Sequence, residues 1–211
     1  SGDRDRLYNR TSVVTDGGIQ MELTEIRKKV KKKLEKERYE HTKGVMYTAA
    51  SLAMANGSDI KQAMFAGLLH DCAKCIPNEE KLALCKKYDI PVSRFELDSP
   101  YLLHAKLGAF LAQKEYDITD AEILHAIEVH TTGAPDMSLL DKIIFVADYI
   151  EPNREKAPHL TAIRQLAFSN LDACVAQILK DTLDYLKKRG GSIDPQTQET
   201  FEFYRKYLEE S

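Results

Sequence analysis

Apolar residues recur at helical spacing along most of this 211-residue chain. Near the start of the periodic part, Leu23, Ile26, Val30 and Leu34 are separated by three or four positions, the spacing of one face of a helix. No segment alternates between apolar and polar positions for long enough to indicate a β-strand. The pattern therefore predicts an all-α fold.

Further helices are predicted between residues that cap or break helices. Asn56 and Gly57 end the second helix, Ser58 or Asp59 caps the third, and Ser99 with Pro100 opens the fifth. After the first helix, the predicted ranges are about 38–55, 60–71, 79–88, 99–111, 120–130, 138–149, 160–188 and 195–208.

Composition limits the class of protein. Residues 1–20 lack an apolar core segment, so we expect a flexible leader or non-native residues there, and one domain over residues 21–211. No apolar run approaches the roughly 18 residues of a membrane span. A net charge of −3 argues against a dedicated nucleic-acid-binding protein. Four cysteines without an export signal indicate a reducing, cytoplasmic environment.

Histidines and aspartates occupy positions on helix faces that otherwise read as core. His41 lies four residues before Val45, and Asp148 continues the apolar face of its helix. A lone inward histidine is usually a core residue, but a buried carboxylate is costly unless it is paired or binds a metal. Imidazole and carboxylate ligands together suit iron, zinc or manganese. His70 and Asp71 diverge by about 100° on an ideal helix, so both reach one ion only where the helix end points at it.

This ordered set of residues resembles the signature of the HD-superfamily metal-dependent phosphohydrolases. Two longer strings, residues 130–133 (HTTG) and 147–154 (ADYIEPNR), together with HDCAK at 70–74, are similar to the YqeK-type branch, the symmetrical diadenosine tetraphosphate hydrolases. The resemblance covers the chain from about Met21 onward. It implies a helical HD-type hydrolase domain that cleaves diadenosine tetraphosphate into two ADP.

The resemblance also implies a set of site residues. The metal ligands are His41, His70, Asp71 and Asp148. The catalytic residues are Asp71, Lys74, His104, His130 and Arg154. The expected substrate contacts are His41, Asp71, Cys72, Ala73, Lys74, His104, His130, Thr131, Asp148, Arg154, Gly191, Ser192, Ile193, Asp194, Pro195 and Gln196.

The residue types suggest how such a site works. A bound divalent or trivalent ion lowers the pKa of water and polarises a phosphate oxygen. Arg154 suits bidentate contact with phosphate, and Lys74 supplies a point charge. His104 and His130 are assigned to phosphate, so one ion per chain is expected, with iron suggested by the resemblance. The same two histidines can instead hold a second ion, as in some binuclear relatives.

Other interpretations stay open at this point. Cys72 and Cys75 form a CxxC, which a redox pair or half a zinc site would need, but no second CxxC exists, so helix packing is preferred. His125 is about 140° from His130 around a helix and is expected to be a surface or structural residue. The basic run 26–38 is interpreted as a solvated helix face.

Alternative functions remain on sequence grounds. The same site could hydrolyse a deoxynucleotide monophosphate or a cyclic nucleotide, as other HD relatives do. Outside enzymes, a nucleotide-sensing module would keep the ion without useful turnover. The expected partners are a dinucleoside polyphosphate, its ADP product and a second copy of the chain in a homodimer, without a membrane.

Overall fold

The computed structural model describes residues 14–15, 18–19 and 21–208. Its first elements are two short antiparallel strands, β1 (Val14–Thr15) and β2 (Gly18–Ile19). The predicted leader at residues 1–20 otherwise falls outside the described part of the chain. In the described part, all other regular elements are helical, so the all-α prediction is confirmed.

Eleven α-helices lie within the described residues. The first six are α1 (Leu23–Lys33), α2 (Lys36–Ala55), α3 (Ile60–Leu69), α4 (Asn78–Lys87), α5 (Arg94–Asp98) and α6 (Leu103–Tyr116). The other five are α7 (Ala121–Val129), α8 (Leu139–Ile150), α9 (Leu160–Ser169), α10 (Leu171–Lys188) and α11 (Pro195–Tyr204). Two 3₁₀ turns, Pro100–Leu102 and Arg205–Leu208, precede α6 and follow α11.

Side-chain caps explain where several helices begin. Asp59 accepts a hydrogen bond from the Gln62 backbone at the start of α3, and Asp194 does the same for Gln196 at the start of α11. Ser138 and Asp141 form a capping box at the start of α8, where each side chain accepts from the other's backbone. These bonds satisfy amides that a helix start leaves without partners.

The structure corrects three of the predicted boundaries. The range 160–188 is two helices, because Asn170 is extended (φ −151°, ψ 93°) and its side chain caps α10. The short helix α5, which begins with a capping box at Ser93, was not predicted. Ser99 makes no side-chain cap, and Pro100 begins a 3₁₀ turn instead of an α-helix.

The helices pack so that chemistry-bearing residues meet inside the core. Helix α2 packs against α3 and α8, while α7 packs against α3, α6 and α8. His70, Asp71, His104 and His130 are buried among the apolar side chains that these helices contribute. No helix of the described chain combines the length and the hydropathy that crossing a membrane requires.

Candidate metal centre

Three helices bring the four predicted ligand residues together. Helix α2 carries His41, helix α8 carries Asp148, and α3 ends at Leu69, so that His70 and Asp71 lie in the turn that follows. His70 still has helical dihedrals (φ −55°, ψ −35°), but at the end of the helix both side chains reach one place, with His70 Nε2 3.2 Å from Asp71 Oδ2. Both side chains of the doublet can therefore face the same point.

The nitrogen and oxygen atoms of these residues converge. The His41 Nε2 atom lies 2.9 Å from Asp148 Oδ1 and 3.7 Å from Asp71 Oδ2. The His70 Nε2 atom lies 3.2 Å from Asp71 Oδ2 and 3.5 Å from Asp148 Oδ1. His41, His70 and Asp71 form one set whose ligand atoms all lie within 4.8 Å of one another.

His104 and His130 extend the cluster on the other side of Asp71. Each of their Nε2 atoms lies 3.4 Å from Asp71 Oδ1, and the two Nε2 atoms are 3.1 Å apart. Together with Asp71 they form a further set of three ligand atoms. Asp71 thus joins two groups of histidines, one at each carboxylate oxygen.

Backbone carbonyls fix the orientation of three of the rings. The Nδ1 atoms of His70, His104 and His130 lie 2.7, 2.6 and 2.7 Å from the carbonyl oxygens three residues earlier. A carbonyl oxygen only accepts, so each Nδ1 carries a hydrogen and each neutral ring presents its Nε2 lone pair to the cluster. This is the arrangement by which proteins orient histidine ligands of metals.

The donor set fits a divalent cation. His70 Nε2 is buried and lacks a hydrogen-bond partner among the described residues, although it faces two carboxylates. The lone pairs on His104 Nε2 and His130 Nε2 point at each other across 3.1 Å, which is unfavourable without a positive charge between them. Imidazole nitrogens and carboxylate oxygens are ligands of zinc, iron and manganese.

The surroundings of the two rings favour positive charge at His70 but not at His104, as their pKa values show. Burial opposes protonation of His70, but Asp71 and Asp148 outweigh it and raise its pKa to about 10. Burial would raise the pKa of the two carboxyls, yet the adjacent histidines hold both well below the ordinary value. Burial and the neighbouring His130 lower the pKa of His104 to about 3.

Glu151, which the sequence analysis missed, supports His41 from behind. It is 2% exposed, and its Oε1 atom accepts a hydrogen bond from His41 Nδ1 at 3.1 Å. Its Oε2 atom accepts from both the backbone and the side-chain amide of Asn153, each at 3.0 Å. Gly44 makes room, since a Cβ there would lie 2.0 Å from Glu151 Oε2. The spacing of three residues from Asp148 was the available signal.

Arg38 is a second residue that sequence reasoning did not single out. Its Nη1 atom donates to Asp71 Oδ2 at 3.0 Å, and its side chain is 36% exposed. It belongs to the run interpreted as a solvated face. Its position three residues before His41 places it on the same face of α2. A guanidinium at the edge of the cluster is suited to contact a phosphate.

Arg38 and the predicted Arg154 face a common cavity. This cavity, which we call the basic groove after the Lys and Arg side chains it presents, has a volume of about 680 Å³. It is lined by Lys36, Arg38, His41, Arg154 and Lys156, and also by Asn153 and the four glutamates 37, 40, 151 and 155. The Arg154 guanidinium donates to the Asp148 carbonyl at 3.1 Å and lies over the Tyr149 ring, so it is held beside the cluster. Lys74 is half-buried, and its charge contributes to lowering the pKa of His104.

A smaller cavity lies on the His104 side. The Thr131 hydroxyl donates to His104 Nε2 across 3.4 Å and lines this cavity, the polar pocket, together with Thr132, Glu128, Asp194 and Gln196. Its volume is about 240 Å³. The predicted turn 191–196 thus reaches this cavity through two of its residues, and Gln196 is anchored by donating to the Gly133 carbonyl.

Some of the predicted substrate contacts are buried and line neither of the two cavities. Cys72 and Ala73 are 5% and 0% exposed and pack against Gly108 of α6, which leaves mainly their backbone to meet a ligand. Burial raises the pKa of Cys72 to about 12, and its thiol donates to the Gly108 carbonyl. All four cysteines are free. His125 is half-exposed and bonds to the buried Asp141, consistent with the structural role expected of it.

Comparison with known proteins places this cluster in a family. Residues 38–153 match the family model of the HD domain, a segment that contains all six residues of the cluster. The chain belongs to the HD-domain family. This confirms the resemblance inferred from the HD doublet and the two longer strings.

Relatives and a solved structure extend the similarity beyond the matched segment. The chain is 42% identical over 172 residues to the symmetrical bis(5'-nucleosyl)-tetraphosphatase of Bacillus subtilis, covering 82% of this chain and 91% of the relative. It is 32% identical over 186 residues to the enzyme of the same name from Staphylococcus aureus, covering 87% and 95%. A crystal structure of a predicted HD superfamily hydrolase involved in NAD metabolism from Clostridium acetobutylicum superposes with a TM-score of 0.85 at 36% identity, covering 89% of this chain and 98% of that one.

Proposed function

We propose that this chain is a metal-dependent hydrolase that cleaves diadenosine tetraphosphate symmetrically into two ADP. The observation that carries the proposal is the 42% identity, over most of both chains, to a symmetrical bis(5'-nucleosyl)-tetraphosphatase. The converging histidines and aspartates add the chemistry that such a reaction needs. A nucleotide-sensing module that keeps the ion would need the same donor set, so the identity to a named hydrolase is what favours the enzyme.

His41, His70, Asp71 and Asp148 are the proposed metal ligands. A divalent ion held by them would lower the pKa of a bound water and would polarise a phosphate oxygen. Glu151 keeps the Nε2 lone pair of His41 directed at the ion by accepting from Nδ1.

The charged and polar residues around the cluster bind and orient the polyphosphate. Arg38 and Arg154 are placed to contact phosphate oxygens from the basic groove, with Lys74 as a further point charge. Thr131 can donate to a phosphate oxygen from the side of His104. Positioning and electrostatic stabilisation are the main contributions a protein makes to phosphoryl transfer.

The reaction balances with water as the only co-substrate. The water oxygen adds to one of the two inner phosphorus atoms, and the bond from that phosphorus to the central bridging oxygen breaks. One ADP leaves with the bridging oxygen, and the other carries the oxygen of water. The released proton has to pass to a group at the cluster, and His130, whose Nε2 lies 3.4 Å from Asp71 Oδ1, is placed to take it.

The number and the identity of the bound metal ions are also proposed. We infer one ion per chain, iron, in a cytoplasmic homodimer, as the family resemblance suggests. The facing Nε2 atoms of His104 and His130 favour a binuclear site as a second candidate. Metal analysis of the purified native chain and of His104→Ala separates the two. One ion in both proteins supports the single site, and two ions falling to one supports the binuclear site.

Chromatographic product analysis tests the function. Purified chain loaded with iron or manganese should convert diadenosine tetraphosphate into ADP alone, and should leave a deoxynucleotide monophosphate and a cyclic nucleotide intact. Asp71→Ala should lose metal and nearly all turnover while its helical circular dichroism persists. Formation of AMP with ATP, or preference for one of the mononucleotides, would contradict the symmetrical activity. Metal-loaded protein that binds nucleotide without turnover would indicate a sensor.

A further inference from the structure

The metal cluster is arranged as a row with two different sides. Arg38 and His41 lie 3.0 and 3.7 Å from Asp71 Oδ2. His104 and His130 lie 3.4 Å from Asp71 Oδ1. The carboxylate of Asp71 therefore separates an arginine-containing side of the cluster from a histidine-only side.

The first side of this row opens into a cavity, and a second cavity lies beyond Thr131 on the other side. The basic groove, about 680 Å³, is lined by Arg38 and His41 on the first side. The polar pocket, about 240 Å³, is lined by Thr131, whose hydroxyl lies 3.4 Å from His104 on the second side. A ligand centred on the cluster thus has open space on the arginine side, and on the histidine side the polar pocket lies next to it behind Thr131.

The chemistry of the proposed reaction requires such space. The attacking and leaving oxygens lie roughly in line at the reacting phosphorus, so the two halves of the substrate extend to opposite sides of it. In a symmetrical cut each half is a nucleoside diphosphate. A mononucleotide hydrolase needs room for a nucleoside on one side only.

We propose that the basic groove is a subsite for the second nucleoside diphosphate half, bound at its outer end by Lys36 and Lys156. This inference rests on the proposed function and deepens it. The two lysines favour dinucleoside over mononucleoside substrates, because a substrate whose first half occupies the cluster reaches them only with its second half. The polar pocket receives the nucleoside of the first half.

The charges and sizes of the cavities support this assignment. Within the described residues the lysine side chains of positions 36 and 156 make no hydrogen bond or ion pair, so both are available, whereas Arg38 and Arg154 are already held at the cluster. In the smaller pocket the cation Lys106 is paired with Glu96 at 2.8 Å. Glu128 and Asp194 there disfavour phosphate but can accept hydrogen bonds from a base or a ribose.

The groove also contains carboxylates, and their positions matter for the assignment. Glu40 is paired with Lys43 at 2.8 Å, and Glu151 is committed to His41. Glu37 and Glu155 remain, which can accept hydrogen bonds from ribose hydroxyls. The groove is therefore suited to a nucleotide, which has both phosphates and hydroxyls, more than to inorganic polyphosphate.

A charge-reversal pair with a matched control tests the subsite. The test variant is Lys36→Glu with Lys156→Glu, and the control is Lys32→Glu with Lys61→Glu. The control lysines are exposed, line neither cavity, and produce the same change in net charge. The measurements are steady-state kinetics with diadenosine tetraphosphate and calorimetric titration of the metal-loaded protein with ADP.

We expect the test variant to raise KM for diadenosine tetraphosphate by roughly tenfold to a hundredfold, with kcat within a few fold, because it loses binding made equally in the ground and transition states. ADP should titrate two sites per native chain and one per test variant, while the control matches the native protein in both measurements.

Three results would overturn the subsite: an unchanged KM, two ADP sites retained in the test variant, or an equal rise of KM in the control. A native chain that yields no ADP from diadenosine tetraphosphate would instead refute the proposed function. In that case the ADP titration still decides whether the groove binds a nucleoside diphosphate.

Discussion

Replacing Glu151 by glutamine should weaken metal binding although the substituted residue contacts no ion. Glu151 holds His41 through a hydrogen bond of 3.1 Å from Nδ1, and it accepts two more at 3.0 Å from Asn153. Both carboxylate oxygens therefore act only as acceptors. A glutamine of the same shape has one acceptor and one donor end.

Neither orientation of the new amide satisfies these partners. With its oxygen toward His41, its NH₂ group faces the two donors of Asn153. With the amide reversed, the NH₂ group faces His41 Nδ1–H and the ring is released or flipped. The negative charge that makes Nε2 a better ligand is lost in both cases. Removing such outer partners typically lowers metal affinity 10- to 100-fold, about 1.4 to 2.8 kcal/mol. We expect Glu151→Gln near the upper end of this range.

Competition with a chelator measures this affinity directly. Apo protein would be titrated with Co²⁺ or Mn²⁺ against a chelator of known Kd, and circular dichroism would establish that the helices persist. The control is Glu155→Gln, which removes one charge from an exposed residue of the same loop. A Kd for Glu151→Gln within about twofold of the native value would refute the positioning argument. So would an equal loss in the control.

Three further predictions concern neighbouring residues. Gly44→Ala should lower metal affinity in the same direction as Glu151→Gln, because its Cβ would lie 2.0 Å from Glu151 Oε2, and chelator competition would reveal it. Arg154→Ala should reduce kcat/KM for diadenosine tetraphosphate at least tenfold at full metal content, and unchanged kinetics would remove it from the site. Replacing Cys72 and Cys75 by alanine should leave metal content and turnover within a few fold of the native values. If the variant lost both its metal and its turnover, the zinc or redox role would again be favoured.

Much of the fold follows from local signals in the sequence. The side chains of Asp59 and Asp194 cap the starts of α3 and α11, as their residue types predict. Gly57 follows the end of α2 with φ +65°, a conformation that glycine adopts readily. The break at Asn170 was not predicted, because apolar periodicity continues across it and a single extended residue leaves no mark on the pattern. The five-residue helix α5 was too short to establish a period.

The site could be predicted where a charged residue occupies a position that the helical pattern places in the core. An inward aspartate such as Asp71 or Asp148 is costly in a core, which makes it conspicuous. Arg38 was missed because an arginine in a basic, exposed run is unremarkable until the fold brings Asp71 within 3.0 Å of it. Glu151 was missed because it lies at a helix end, where an exposed residue is the ordinary expectation.

The number of bound ions depends on how the histidine rings are oriented. The spacing of residues in the sequence does not encode that orientation. Ligand counting assigns four residues to one ion and leaves His104 and His130 for phosphate. The structure adds that carbonyls fix Nδ1 of both rings as donors, so two Nε2 lone pairs face each other at 3.1 Å. A phosphate oxygen placed there would add a third acceptor and worsen the repulsion unless one ring is protonated. A second cation beside Asp71 Oδ1, as in the binuclear candidate, would remove this repulsion, so metal analysis of the native chain and of His104→Ala decides between the two sites.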